Sequence, residues 1–552
     1  MFSIRAPKIP ATWENSIKES LNQVEVTKFP IRLNSPFAQR LLNKDLIQSK
    51  FDSSVLIDKW KSLESQEKYQ ELQKLVDWQV TFEFMKSIVL DLVSWGVDIE
   101  IHDSTIYFVK NPNKINDSMH QNIIRNALTN LKIDRKQFDS NLSDKEALEM
   151  LKYGEIELIK VTPEQKDLSE VFRHGVATWS MPYRGREGRS TRFVLLIKFK
   201  DRTVPIGIME TGDDAPFSPL RDKELGFTKL TLSESRAQEL ILRFKYLRNC
   251  LKKTDLPIDP QDELVKIVDW FDNNKENLKN LNHDLIAKRM NYLQRIIKAE
   301  YALSVGHREM TDELGAGLRA IKDVTLNRVH TEVVICGALP PFGNFLVGKL
   351  VASMMNHPYV RKTLDRDIGI ILGESFEIEK LEKWLPRFGP LLVTTKGLFS
   401  GHSAQYNRVR TPSPSGDLKL IKLGETEGTT MSHISDRSME LAVAINSKLG
   451  SRSISRDYGS GGAKRQRILQ RALTEIGIPA ESVFANIKRP VYGLKLVKNA
   501  QDVVIFGHAP VWIDDFTVTA SPKDYDQLAL NGWRDRWFNT ALRRSKEEIE
   551  SV

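Results

Sequence analysis

The stretch that most restricts what this chain can fold into is residues 331–358, TEVVICGALPPFGNFLVGKLVASMMNHP. Thr331 to Gly337 is a short β-branched apolar run of strand length, closed by glycine and two prolines, the pattern of a buried strand. Pro340, Pro341, Phe342 and Gly343 stop it with a turn. Phe345, Leu346, Leu350, Val351 and Met354 then recur at helical spacing until Asn356, His357 and Pro358 end the helix. Strand, tight loop and helix thus form one unit. A helix opening from such a loop is expected to present free backbone N–H groups beside a partial positive charge, which makes a seat for a phosphate.

The 552 residues suffice for two or more domains, each with its own core. No apolar run approaches the roughly 20 residues needed to cross a bilayer. The opening MFSIRAPKIPATWENS lacks the apolar segment of a signal peptide, so neither a membrane nor export is expected. Cys250 and Cys336 lie far apart and match no zinc spacing, so no metal is expected and a reducing cytoplasm fits. A net charge of +9 is compatible with a polyanionic partner such as nucleic acid.

Taken in order, residues 1–160 read as a mainly helical module. Leu56, Trp60, Leu63, Leu72 and Leu75 form a broken apolar stripe within a helical region at 41–93, and further helices are expected at 118–131 and 143–151. VDIEIHDSTIYFV, residues 97–109, predicts two strands around Asp103 and Ser104. Residues 161–434 form a core with a helical insertion at about 232–325. Its first hairpin joins FVLLIKF at 193–199 to TVPIGIM at 203–209, with Gly207 marking a close backbone approach. Further strands are expected at 368–372, 390–395 and 418–423.

Several charged groups attach to this frame. Arg184, Arg186 and Arg192 can grip phosphates or face solvent. Glu210, Asp213 and Asp214 can bind a metal or form an acidic turn. Residues 435–552 read as helical and basic in parts, with a glycine-rich loop at 459–462 opening onto Lys464, Arg465 and Arg467 as a nucleic-acid contact or a solvated face. Trp533 and Trp537, at i and i+4, share one helix face and read as core.

GNFLVGK satisfies the first seven positions of a nucleotide-binding P-loop, but Leu350 stands where Ser or Thr must hold magnesium. The order of elements fits another arrangement. The hairpin at 193–209, the unit at 331–358, the strand at 390–395 with a following tyrosine-bearing helix, and the strand at 418–423 resemble an acetyltransferase-like (GNAT) fold. The expected class is therefore α+β: a GNAT-like mixed sheet flanked by helices, with a helical N-terminal module and a basic helical C-terminal portion. The resemblance implies acyl-CoA as cofactor, lined by Gly343, Asn344 and Gly348 with Lys349 supplying positive charge. It also implies Tyr406 as the acid that protonates a leaving thiolate, with Glu425 or His402 taking the amine proton. The loop departs from that family's pattern, since Gly343 is followed two residues on by the bulky Phe345.

More specific strings appear along the chain: RFVLLIKF with PIGIM, SPLRDKELGF, CGALPPFGNFLVGKLVASM, VTTKGLFSGHSAQYNRV, KLGETEGTTMSHIS, YGSGGAKRQRILQRAL and RPVYGLKLVKNA. In that order, over about residues 170–540, they resemble the Druantia anti-phage defence protein A family. The resemblance implies a role in bacterial defence beside a large helicase-like partner, with phage nucleic acid as a further partner, and no settled reaction. Its motifs mark Arg221, Asp222, Lys349, Ser403, Tyr406, Asn407, Arg408 and Gly424 as the neighbourhood of a site, with Arg408 among the nucleic-acid-facing cations. Two alternatives stay open: a non-catalytic DNA-binding sensor or adaptor, and a metal-dependent nuclease using Glu210, Asp213 and Asp214.

Overall fold

Lys200 and Asp201 turn the apolar run before them back on itself, and the computed structural model extends that hairpin into a seven-stranded sheet. The structure describes residues 142–177 and 190–543 except 214–217, 254–255, 276–277, 279–283, 366–375, 385–387, 398–405, 417, 427–433, 449–461 and 476–487. It also describes residues 28–30, 84, 87–88, 91, 97–102 and 105–110. The strand expected at 368–372, the helix at 118–131 and most of the stripe at 41–93 lie outside these residues. Two units are distinguished, one of residues 1–135, 176–187 and 427–487, the other of 136–175, 188–426 and 488–552.

In the first unit, strands β1 (Lys28–Pro30), β2 (Val97–His102) and β3 (Thr105–Lys110) form an antiparallel sheet in the order β1-β3-β2. β2 and β3 pair from Val97 opposite Lys110 to His102 opposite Thr105, the two strands expected over residues 97–109. Helices Asp436–Lys448 and Gly462–Glu475 pack on one another, burying Leu441, Ala442, Ile445, Leu469, Ala472 and Leu473. Asp91 holds the start of the first of these helices by accepting from the Ser435 amide at 2.9 Å and the Ser438 hydroxyl at 2.6 Å.

The second unit carries β4 (Glu155–Lys160), β5 (Ser190–Phe199), β6 (Arg202–Gly212), β7 (His330–Ala338), β8 (Leu392–Lys396), β9 (Ile421–Glu425) and β10 (Pro490–Lys495). They are ordered β4-β5-β6-β7-β8-β10-β9. Every neighbouring pair is antiparallel except β7 and β8, which run parallel. That pairing covers only His330–Val333 against Leu392–Thr395, so β7 runs on past its last β8 partner. Beside it a bulge opposite Glu210 and Thr211 leaves Val334 without a partner in β6, re-aiming the strand at the same point.

Both faces of the sheet are covered. On one lie α1 (Asp144–Tyr153), α6 (Val347–Ser353) and α7 (Pro522–Trp533), and on the other α3 (Glu234–Asn249), α4 (Asp284–Ser304) and α5 (Asp312–Val329); the short α2 (Pro219–Glu224) precedes the second group. Side-chain caps start α1, α3, α5 and α7, from Ser143, Ser233, Thr311 and Ser521. Phe244, Leu293 and Ile321 centre one core, and Phe193, Leu350 and Leu530 the other. Each such side chain contributes about 1.5–3 kcal/mol by leaving water. Gly207 explains how α6 lies so close to the sheet, because a Cβ there would stand 2.2 Å from Val351 Cγ2.

Two local expectations shift. The helix expected from Phe345 begins at Val347, since Leu346 takes the left-handed conformation (φ 61°) and Phe345 is drawn into the core. The strand expected at 418–423 is Ile421–Glu425, preceded by a bridge between Arg410 and Lys419. After Trp533 the helix widens to a π-helix at Arg534–Phe538, and both tryptophans pack against the same core, as their shared face predicts. Trp533 is buried and donates to the Leu346 carbonyl at 3.1 Å, whereas Trp537 is half-buried.

Both cysteines are buried and unbridged. Burial pushes the Cys250 thiol up to about 12 and raises Cys336 as well. Because the thiolate is the reactive form, neither thiol should react with a chromogenic disulfide reagent at pH 8 in the native protein, and two equivalents should appear on unfolding. Rapid native-state labelling of either cysteine would contradict this packing.

Candidate functional site

Where β7 and β8 part, polar side chains from four segments converge. Tyr406, in a turn, is 5% exposed and is bonded by the Thr395 side chain of β8. Its burial pushes the phenol well above its ordinary range, with the charges of Cys336 and Glu332 pushing the same way. The Tyr492 ring of β10 lies 5.5 Å from the Tyr406 ring, and its hydroxyl donates to Asn407 Oδ1 at 3.2 Å. From α6, Lys349 Nζ donates to the Asn407 carbonyl at 3.0 Å and sits 4.7 Å from the centre of the Trp537 ring. The result is a protonated phenol held at depth, with an amide, a second phenol and an ammonium group toward the surface.

Glu332, missing from the residues singled out in the sequence, acts on this group only through its charge: it pairs with Thr394, so its side chain leaves the sheet on the face opposite Thr395 and Tyr406. It is 2% exposed on β7, and Lys396 Nζ stands 2.9 Å from its Oε1. Burial lowers the Arg489 guanidinium pKa, which the Glu332 charge partly restores. A signal was available: a carboxylate inside the run TEVVIC cannot be buried without a cation or donors, and Lys396 ends the strand that pairs next to it.

The loop at 343–349 gives a mixed answer to the phosphate-seat expectation. An added Cβ at Gly343 would meet nothing within 4 Å, and at Gly348 only the Ala338 nitrogen at 4.0 Å. Phe345, at 1% exposure, points inward and leaves the outer face clear. The backbone at Gly343 is therefore open to solvent. The amides are less available: those of Asn344, Phe345, Leu346 and Lys349 donate to the carbonyls of Pro341, Phe342, Gly343 and Leu346 at 3.0–3.4 Å. An anion here would rely on Lys349 and on exchange of the longer of these bonds.

The remaining expected residues scatter. Glu425 is exposed on the edge strand β9, where the bond and charge of Lys422, 2.8 Å away, lower its carboxyl pKa. Its shown partners are lysines rather than Tyr406, and a depressed pKa makes it the weaker proton acceptor. His402 and Ser403 lie outside the described residues, as do Arg184, Arg186 and Asp214. Arg408 is exposed at the mouth, with φ 63°. Arg192 faces Glu210 across β5 and β6 and lies 5.1 Å from the Phe172 ring. Glu210 is buried and accepts from Ser190. Among the described residues no three His, Cys, Asp or Glu side chains gather to hold a metal. In the other unit, Lys464, Arg465 and Arg467 share the helix at 462–475; Arg465 is half-buried and Arg467 exposed, and the Lys464 side chain is outside the described residues.

Residues 310–505 match the family described as Druantia protein DruA. Over 203 residues the chain is also 26% identical to Druantia protein DruA of Escherichia coli (strain UMEA 4076-1), covering 37% of this chain and 47% of that protein. The chain thus aligns with about half the length of this curated relative. No solved structure matches. Both likenesses to DruA support the family resemblance seen in the sequence. The matched DruA segment contains β7, α6, β8, β9 and β10, together with Glu332, Lys349, Lys396, Tyr406 and Tyr492. No helix among the described residues is long and apolar enough to cross a membrane.

Proposed function

We propose that this chain is a cytoplasmic component of Druantia-type anti-phage defence, with an acyltransferase-like (GNAT) pocket where β7 and β8 part. One observation carries the reading: the segment similar to DruA coincides with the strands, loop and turn that assemble the buried Tyr406 group. The element order supports the finer fold assignment, because the hairpin, the strand-loop-helix unit and the later strands share one sheet. Open backbone at Gly343 and Gly348 supports a ligand there, with Asn344 and Lys349 beside it. An acyl thioester, when bound, supplies the activated carbonyl. Tyr406 Oη holds its proton for a leaving group. Phage nucleic acid and a helicase-like protein are the partners belonging to this reading.

Titration calorimetry with acetyl-CoA on the full chain tests the pocket. Heat of binding is expected with wild type and not with Gly348→Trp, whose indole fills a position that now has open space. Equal binding by both proteins removes the ligand from this loop. No binding by either leaves a non-catalytic defence adaptor as the function to pursue.

A further inference from the structure

Beyond the turn that carries Tyr406, the fold holds three cations together against their mutual repulsion. Arg410 and Lys419 face each other across an antiparallel bridge. The Thr411 amide donates to the Leu418 carbonyl and the Leu420 amide to the Val409 carbonyl, both at 3.0 Å, so the hydrogen bonds flank this pair instead of joining it. That is the closer antiparallel arrangement, with Cα atoms about 4.5 Å apart and both side chains on one face. Like charges set opposite each other in this way destabilise the pairing. The third cation, Arg536, comes from the π-helix after α7. Burial lowers its guanidinium pKa, and the nearby Arg410 charge lowers it further, with Asp535 opposing. All three side chains are exposed, and none forms an ion pair with a carboxylate among the described residues.

The same two segments already meet at the Tyr406 group. Lys349, which donates to the Asn407 carbonyl, lies over the ring of Trp537, the residue after Arg536. Between Asn407 and Arg410 stands Arg408, exposed and left-handed, one of three such non-glycine residues among those described. A left-handed side-chain-bearing residue and a π-helix are both irregularities that cluster at functional sites. Guanidinium forks match phosphate oxygens, and a surface that mixes cations with an exposed amide and an indole suits a chain offering phosphates together with bases.

We propose that Arg410, Lys419 and Arg536 grip the phosphate backbone of a nucleic-acid strand led past the turn at 406–410. The inference rests on the reading above for nucleic acid as a partner and not for the acyl-CoA pocket. The test follows fluorescence anisotropy of a labelled single-stranded oligonucleotide and of its duplex over a salt series. It compares the full chain with Arg410→Ala/Lys419→Ala/Arg536→Ala and with Lys464→Ala/Arg467→Ala. The first variant should melt at or slightly above wild type, because exposed like charges are removed. Its slope of log affinity against log salt should fall by about 2 for the single strand and about 3 for the duplex, with binding roughly a hundredfold weaker at about 0.1 M salt. Absent binding by wild type overturns the proposal together with nucleic acid as a partner. Binding with equal slopes in wild type and the triple variant overturns this surface alone, and loss confined to the Lys464 and Arg467 variant moves the contact to the helix at 462–475. Poly-glutamate that competes as well as unlabelled oligonucleotide at equal charge overturns nucleic acid in favour of an acidic protein.

Discussion

Asp222→Ala is expected to destabilise the larger unit by about 3–5 kcal/mol, read as a lowered midpoint in denaturant. Arg221, on the short α2, is among the most completely buried large side chains, at 0% exposure. Its Nε and Nη2 donate to Asp222 Oδ1 at 2.9 and 2.7 Å, and Lys322 from α5 donates to Oδ2 at 2.8 Å. One carboxylate thus serves two buried cations, and removing it takes that compensating charge from both in a medium that solvates charge poorly. Replacing all three members with apolar residues of similar size should cost less than the single change, because no charge is then left behind. If Asp222→Ala proves no worse than that triple replacement, the cluster is not acting as a charge-compensated unit.

The second large effect concerns Tyr406. Tyr406→Phe keeps the ring against Tyr492 and removes only the hydroxyl, so the fold should persist. Loss of a positioned proton donor typically costs about 10²–10⁴-fold in rate, and in the intact defence gene set the variant should lose protection in a phage plating assay. Tyr492→Phe, which removes the bond to Asn407 near the mouth, should retain most protection. Full protection by a normally expressed Tyr406→Phe protein would move the function to a non-catalytic adaptor.

The frame was legible where local chemistry and tertiary packing agree. The hairpin at β5 and β6 announces itself through two apolar runs and a charged turn, Gly207 marks the close approach of α6, and the run at Thr331–Gly337 forms the central strand. The site was legible in part. Tyr406 stood out through a motif, but Glu332 was hidden inside an apolar strand pattern, and its partner Lys396 looked like the start of a loop. Glu425 drew attention because it sits in a distinctive string, yet that string ends on a sheet edge beside Lys422. Hydrophobic spacing also assumes uniform helices. It therefore could not foresee the left-handed Leu346 that delays α6, or the π-turn that follows Trp533.

The route of the chain between β6 and β7 has a consequence for assembly. The chain leaves the sheet at Gly212 and comes back only at His330, yet these two strands are hydrogen-bonded neighbours. The centre of the sheet is therefore its least local pairing, and it cannot close until the intervening helices bring the two ends together. Seen this way, the helical block is a clasp whose span matters more than its contents. Lengthening a closed loop twofold costs only about 0.6 kcal/mol, so relatives can carry very different blocks here while keeping the same sheet and the same gap beside β7.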